Sequence, residues 1–128
     1  MRNIPVQDCG DGFTRADNGC FGKGPVAKTA AYTILSGQPG TIFSNAGASG
    51  EVVFTLPLPK AGMWFAFFKS VAAQNLVVKA TSAAKINAGT AGQVYKNITS
   101  EVGTCTLFSD GVDWFVAAEK GTWANAAS

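Results

Sequence analysis

Along most of this chain, apolar and polar residues alternate over short runs instead of recurring every third or fourth position. The clearest run is EVVFTLPLP at 51–59, where Val52, Phe54 and Leu56 share one face and Glu51, Val53 and Thr55 the other. Alternation of this kind, bounded by turn residues, predicts a β-strand with one buried face. Pro57 and Pro59 then end the ladder, because proline has no N–H to donate. Similar runs predict strands at AAYTIL (30–35), TIFSNAG (41–47), GMWFAFFKS (62–70), NLVVKAT (75–81), GTCTLFS (103–109) and VDWFVAA (112–118). Neither 70–75 nor 82–88 holds an apolar stripe long enough for a helix. Short strands separated by turns every roughly 8–12 residues predict an all-β fold. The expected architecture is an antiparallel β-sandwich, jelly-roll-like or a related barrel.

One strand departs from the rule for a sandwich. Met63, Phe65 and Phe67 point one way, and Trp64, Ala66 and Phe68 the other. A sandwich strand needs an apolar face only toward the core. The second apolar face is therefore expected to be covered, by the N-terminal segment or by another copy of the chain. The same holds more weakly for VDWFV, where Trp114 and Phe115 fall on opposite faces. Trp114 is expected in the core, on the face shared by Val112 and Val116.

Between the last two predicted strands lies SDGVDWFV (109–116). An Asp-Gly pair between apolar runs is a strong hairpin signal, since both residues tolerate positive φ. Asp110 and Gly111 are accordingly read as a structural turn. Asp110 and Asp113 also resemble a glycosidase carboxylate pair, but aspartate beside a turn is explained by backbone geometry alone.

Residues 1–28 differ from the rest. They show no sustained alternation and contain five glycines and two prolines. This segment reads as an irregular arm, yet Phe13, Phe21 and Pro5 suggest that it is tied down on a partner. The organisation expected is an arm at 1–28 for anchoring or subunit contacts, a β-sandwich at 29–123 and a short tail at 124–128.

Composition sharpens this picture. Charged residues make up 14% of the chain, against about 25% in typical soluble domains. Because interface cores are depleted of charge, part of the surface is expected to be covered by other subunits. The net charge is only +2 with no basic run, so there is no electrostatic footprint for nucleic acid. No apolar stretch approaches the roughly 20 residues of a membrane helix, and MRNIPVQDCG lacks the apolar core of a secretory signal. A protein made in the cytoplasm, with no membrane partner, is expected.

Histidine is absent, which removes the commonest general base and the commonest metal ligand. Cys9 and Cys20, with Asp8, Asp11, Asp17 and Asn18 nearby, form neither a complete zinc set nor an EF-hand loop. A Cys9–Cys20 disulfide is geometrically open but disfavoured in a reducing compartment. With Cys105 the thiol count is odd. No metal, cofactor or catalytic residue is expected, and the chain is not read as an enzyme. Asn97-Ile98-Thr99 matches a glycosylation sequon, here taken as a chance match. Trp64, Trp114 and Trp123 leave open a sugar-stacking surface.

The text TLFSDGVDWFVAAEKGTW (106–123) resembles a closing motif of bacteriophage virion proteins: a strand, a Ser-Asp-Gly turn, a Trp-aromatic strand and a final Gly-Thr-Trp. Upstream, YTILSGQPGTIFSNAGASGEVVFTLPLPKAGMWFAFFK (32–69) is similar to the same group. The resemblance covers roughly residues 30–123, and the order of its elements is more specific than any one of them. Such modules occur in capsid decoration proteins, head fibres and tail fibres. The resemblance implies a β-rich virion subunit, often trimeric, with no catalytic residues to carry over. The expectation is a capsid decoration or cement protein on the outside of the head, with itself and the major capsid protein as partners. Phe13, Phe21, Trp64, Phe68 and Trp123 are the candidate interface residues. The alternative is a tail or fibre component that binds a host-surface glycan.

Overall fold

The computed structural model describes residues 6–8, 14–16, 25–81, 83–87 and 89–127. In chain order the strands are β1 (Val6–Asp8), β2 (Thr14–Ala16), β3 (Val26–Ala27), β4 (Tyr32–Thr33), β5 (Ile42–Ser44) and β6 (Val52–Thr55). They continue with β7 (Trp64–Lys69), β8 (Leu76–Lys79), β9 (Val94–Asn97), β10 (Gly103–Ser109), β11 (Trp114–Lys120) and β12 (Ala124–Ala126). Each of the seven runs with strand periodicity contains a strand, and there is no helix among the described residues.

β1 and β2 form an antiparallel pair inside the segment expected to be irregular. The other strands make two five-stranded sheets, β11-β10-β7-β5-β3 and β12-β9-β8-β6-β4. These sheets are mixed, where the alternation suggested antiparallel ones throughout. β3, β5 and β7 run parallel in the first sheet, as do β4, β6 and β8 in the second. The reason lies in the connections. From β3 to β8 the chain crosses to the opposite sheet after every strand. Each return to a sheet therefore follows a full coil, and the strand enters in the same direction as its predecessor. Parallel neighbours need a long crossover, and here the intervening strand of the other sheet supplies it. Within these two sheets the antiparallel pairs are those of the later strands, β7 with β10, β10 with β11, β8 with β9 and β9 with β12.

The core lies between the sheets. Phe54 on β6 sits 5.4 Å, centroid to centroid, from both Phe43 on β5 and Phe67 on β7, so aromatic packing bridges the two layers. Phe43, Phe54, Phe65, Phe67 and Trp114 are all fully buried. Burying each such side chain contributes roughly 1.5–3 kcal/mol. Met63, Phe65 and Phe67 form the inward set, which leaves Trp64 and Phe68, the interface candidates, on the outer face. Trp114 lies there as expected, with Val116 packed against the cluster. Val112 does not: it sits in the loop before the strand and is 69% exposed.

The Asp-Gly turn also differs from the two-residue hairpin expected. Ser109 pairs with Trp114, leaving four residues, 110–113, in the loop. Gly111 alone in that loop has positive φ, at 101°. One carboxylate oxygen of Asp110 accepts from the backbone N–H groups of Val112 and Asp113, each at 2.9 Å. The loop is thus a side-chain-capped turn. Gly111→Val forces a β-branched residue into the left-handed region and is expected to destabilise by about 1–3 kcal/mol. Asp110→Asn keeps the accepting oxygen without its charge and is expected to be nearly silent, lowering the melting temperature only slightly near neutral pH. The two N–H donors hold the Asp110 carboxyl below its ordinary value. Its stabilising effect is thus present above the ordinary carboxylate range and is lost as pH falls through the lowered value. Thermal melts of both variants across acid pH check these outcomes.

Candidate interaction surface

The outward face of the first sheet is built by residues that alternate against the core positions. Register places Phe108 on β10 opposite both Trp64 on β7 and Phe115 on β11. The result is a row of three aromatic side chains across three strands. Trp64 is 39% and Phe108 41% exposed, and the Phe108 and Phe115 rings lie 5.6 Å apart. The next row is Ala118, Thr106, Ala66 and Ile42. Beyond it, Phe68 lies opposite Thr104, which in turn pairs with Lys120. A charged side chain therefore enters only at the third row.

Trp64 is braced from one side. Gly40 donates its N–H to the Trp64 carbonyl at 2.7 Å, and the indole passes 3.6 Å from where a Cβ on Gly40 would stand. A partly exposed aromatic held in one orientation loses little entropy when a partner covers it, which favours recognition over flexible contact.

The outward face of the second sheet is different. Val53, Val77 and Val94 share a shallow groove of about 190 Å³ with Glu51, Lys79 and Lys96. Charges beside the valines make this a solvated face. At one end of the sandwich, Leu58 and Val112, both 69% exposed, flank a second depression of about 330 Å³ together with Pro59 and Ala84.

The residues singled out from the sequence are distributed as follows. Trp64 and Phe68 share the aromatic face. Trp123 does not: it is 7% exposed, stacks on Tyr95 at 6.0 Å and donates its indole N–H to the Lys120 carbonyl at 3.0 Å. Those contacts make it part of the core and withdraw it from any surface. Phe13 and Phe21 lie outside the described residues, as do Cys9 and Cys20. Asp113 accepts from the Lys85 N–H at 2.9 Å, so both loop carboxylates hold backbone. Cys105 is buried and free, and burial pushes its thiol up to about 12. Asn97 of the sequon is fully buried, closed to any glycosylating enzyme in the folded chain.

Sequence reasoning missed Phe108. The signal was present, since Phe108 alternates out of phase with Cys105 and Leu107, both buried. It also missed β9, whose Tyr95 stacks on Trp123, and β12, which follows Trp123 in the chain. Among the described residues no three metal-binding side chains cluster. Neither a protein-family model nor a curated protein matches the sequence.

Proposed function

We propose that this chain is a bacteriophage virion structural subunit, a decoration or cement protein that binds the outside of the head as a homo-oligomer, with a trimer favoured. The observation that carries the reading is the aromatic row Phe115–Phe108–Trp64 on an otherwise charge-poor sheet face. That face suits adhesion: it can bury apolar surface against a sister chain without desolvating charge. The low charge content and the likeness of residues 30–123 to virion modules support the same reading. The arm, shortened from 1–28 to the residues before Val26 because Val26–Ala27 pair with β5, would be the anchor to the major capsid protein. Burying Phe13 and Phe21 would contribute roughly 3–6 kcal/mol before ordering is subtracted. Anchoring would then rely on many copies binding together.

Electron microscopy of particles carrying labelled protein tests the reading, with label expected over the head; label confined to the tail would instead support the glycan-binding fibre component. The anchor has its own test. Val26 and Ala27 form the edge strand β3, so a truncation that removes residues 1–24 spares the sheet. The truncated protein is expected to keep its melting transition and to lose particle binding. Undiminished occupancy of heads would move the anchor to the sheet faces.

A further inference from the structure

At one end of the core, a buried amine and a buried carboxamide from opposite sheets are brought together. Lys69 closes the inward face of β7 and is fully buried. Asn97 ends β9 in the opposite sheet and is equally buried. The Lys69 Nζ donates to Asn97 Oδ1 at 3.2 Å and to the Thr99 carbonyl. A carbonyl bond is about 1.2 Å long, so Nζ lies within about 4.4 Å of Asn97 Cγ.

The amide is set up as an electrophile. Its Oδ1 also accepts from the Thr99 N–H at 3.2 Å and lies 2.9 Å from the Thr99 hydroxyl, whose one proton can serve either Oδ1 or Glu101. Those donors stand where an oxyanion on Oδ1 would need them. Its Nδ2 is buried with no hydrogen-bond partner among the described residues. Gly103 makes room for it: a Cβ there would stand 2.7 Å from Nδ2 and 2.9 Å from the Lys120 carbonyl oxygen. The Thr99 hydroxyl also touches Oε1 of Glu101, and the same oxygen accepts from the Thr122 N–H at 2.8 Å.

We infer that Lys69 and Asn97 form an intramolecular isopeptide bond that staples the two sheets, with Thr99 holding the oxyanion and Glu101 as a positioning residue for the proton. A proton passes from the Lys69 ammonium to the Glu101 carboxylate as a relay along the contacts present: Nζ gives one to Asn97 Oδ1, Oδ1 gives one to the Thr99 hydroxyl oxygen, and that hydroxyl gives its original proton to Glu101. The relay leaves a neutral amine and a Thr99 hydroxyl that accepts from Glu101 and donates to Oδ1. The Nζ lone pair attacks Cγ and forms the new C–N bond. Collapse of the tetrahedral species breaks the Cγ–Nδ2 bond. Nδ2 takes up the proton that Nζ releases and leaves as ammonia. Amine plus carboxamide gives secondary amide plus ammonia, with no oxidant or co-reactant.

Burial supports release of the Lys69 proton, whereas the Thr99 and Thr122 donors hold the Glu101 carboxyl below its ordinary value and oppose its uptake. Desolvation lowers the Lys69 amine from its ordinary value, opposed by the Glu101 charge, and so favours the nucleophilic form. An unpartnered buried polar group is costly to keep, and the reaction removes both the buried amine charge and the orphaned amide. This inference does not depend on the proposed virion role.

Mass spectrometry of the intact, folded protein tests it. The expected mass is lower than that of the unlinked chain by one ammonia. A tryptic map should hold one branched peptide joining the segment around Lys69 to that around Asn97. Lys69→Arg is expected to abolish both signatures. Asn97→Asp should give the same branched peptide through loss of water in place of ammonia. Glu101→Gln keeps the contacts to Thr99 and Thr122 but cannot take the proton. It is expected to fold with full mass, with Glu101→Asp restoring part of the linkage. Wild-type protein that keeps its full mass after prolonged incubation, with separate Lys69 and Asn97 peptides, would overturn the inference without recourse to any variant. Undiminished ammonia loss in Glu101→Gln would overturn the proton route.

Discussion

Trp114→Ala is expected to lower stability by about 3–5 kcal/mol and the melting temperature by roughly 10–20 °C. The indole is fully buried and packs 5.8 Å, centroid to centroid, from Phe65. Its backbone also carries the loop between β8 and β9: Trp114 donates to the Lys85 carbonyl at 2.9 Å, and Asn87 donates to the Trp114 carbonyl at 2.7 Å. Truncation to alanine leaves a large void beneath a backbone already committed to holding that loop, so little collapse can refill it. Trp114→Phe separates volume from polarity. The indole N–H has no hydrogen-bond partner among the described residues, and leaving such a group buried costs about 1–3 kcal/mol. Phenylalanine removes that group along with part of the ring, so its net loss is expected to stay under about 2 kcal/mol. Urea unfolding of both variants, followed by circular dichroism, decides the matter. Equal losses would mean that ring volume alone sets the cost.

The contrast between these residues shows where the fold was legible. Strand 64–69 could be read because its inward phenylalanines alternate over a run long enough to separate from noise. β6 was legible for the same reason. β3 holds two residues, too few for any period to register, and lies in the segment read as an arm. β9, with sequence VYKN, carries a lysine on the outward side and sits in a Gly/Ala-rich passage. Its pairing with β8 and β12 depends on where the chain returns, and no local pattern encodes that. The parallel pairings were hidden likewise, because alternation defines faces but not the direction of a neighbour. At the turn, local chemistry beat the dipeptide rule: the Asp110 carboxylate captured two backbone donors and widened the loop. The aromatic face was half legible. Trp64 and Phe68 followed from β7 alone, whereas Phe108 needed the register that sets it beside Trp64. The Lys69–Asn97 contact lay beyond sequence reasoning, since the two residues come from opposite sheets and each has an ordinary surface explanation.

Trp64→Lys and Phe108→Lys are expected to turn an oligomer into a monomer at micromolar concentration while leaving the fold intact. Both side chains point away from the core and keep about two-fifths of their surface open, at 39% and 41%. The inward packing of Phe65 and Phe67 is therefore untouched, and the melting transition should move little. An interface centred on the aromatic row would lose far more. Truncating a buried interface tryptophan typically costs about 2–4 kcal/mol, and a lysine adds an unpaired charge to the desolvated centre. That corresponds to roughly 30- to 1000-fold weaker association per contact, enough to cross from assembled to dissociated in a light-scattering experiment. Lys96→Ala, on the charged outer face of the second sheet, serves as the control and is expected to leave assembly unchanged. Charge beside Val53 and Val77 makes that face costly to bury, whereas the first two rows around Trp64 carry none. If wild-type protein scatters as a monomer, or if both lysine variants assemble as well as wild type, the aromatic face is not where copies of this chain meet. The Phe13 and Phe21 arm would then have to supply the subunit contacts.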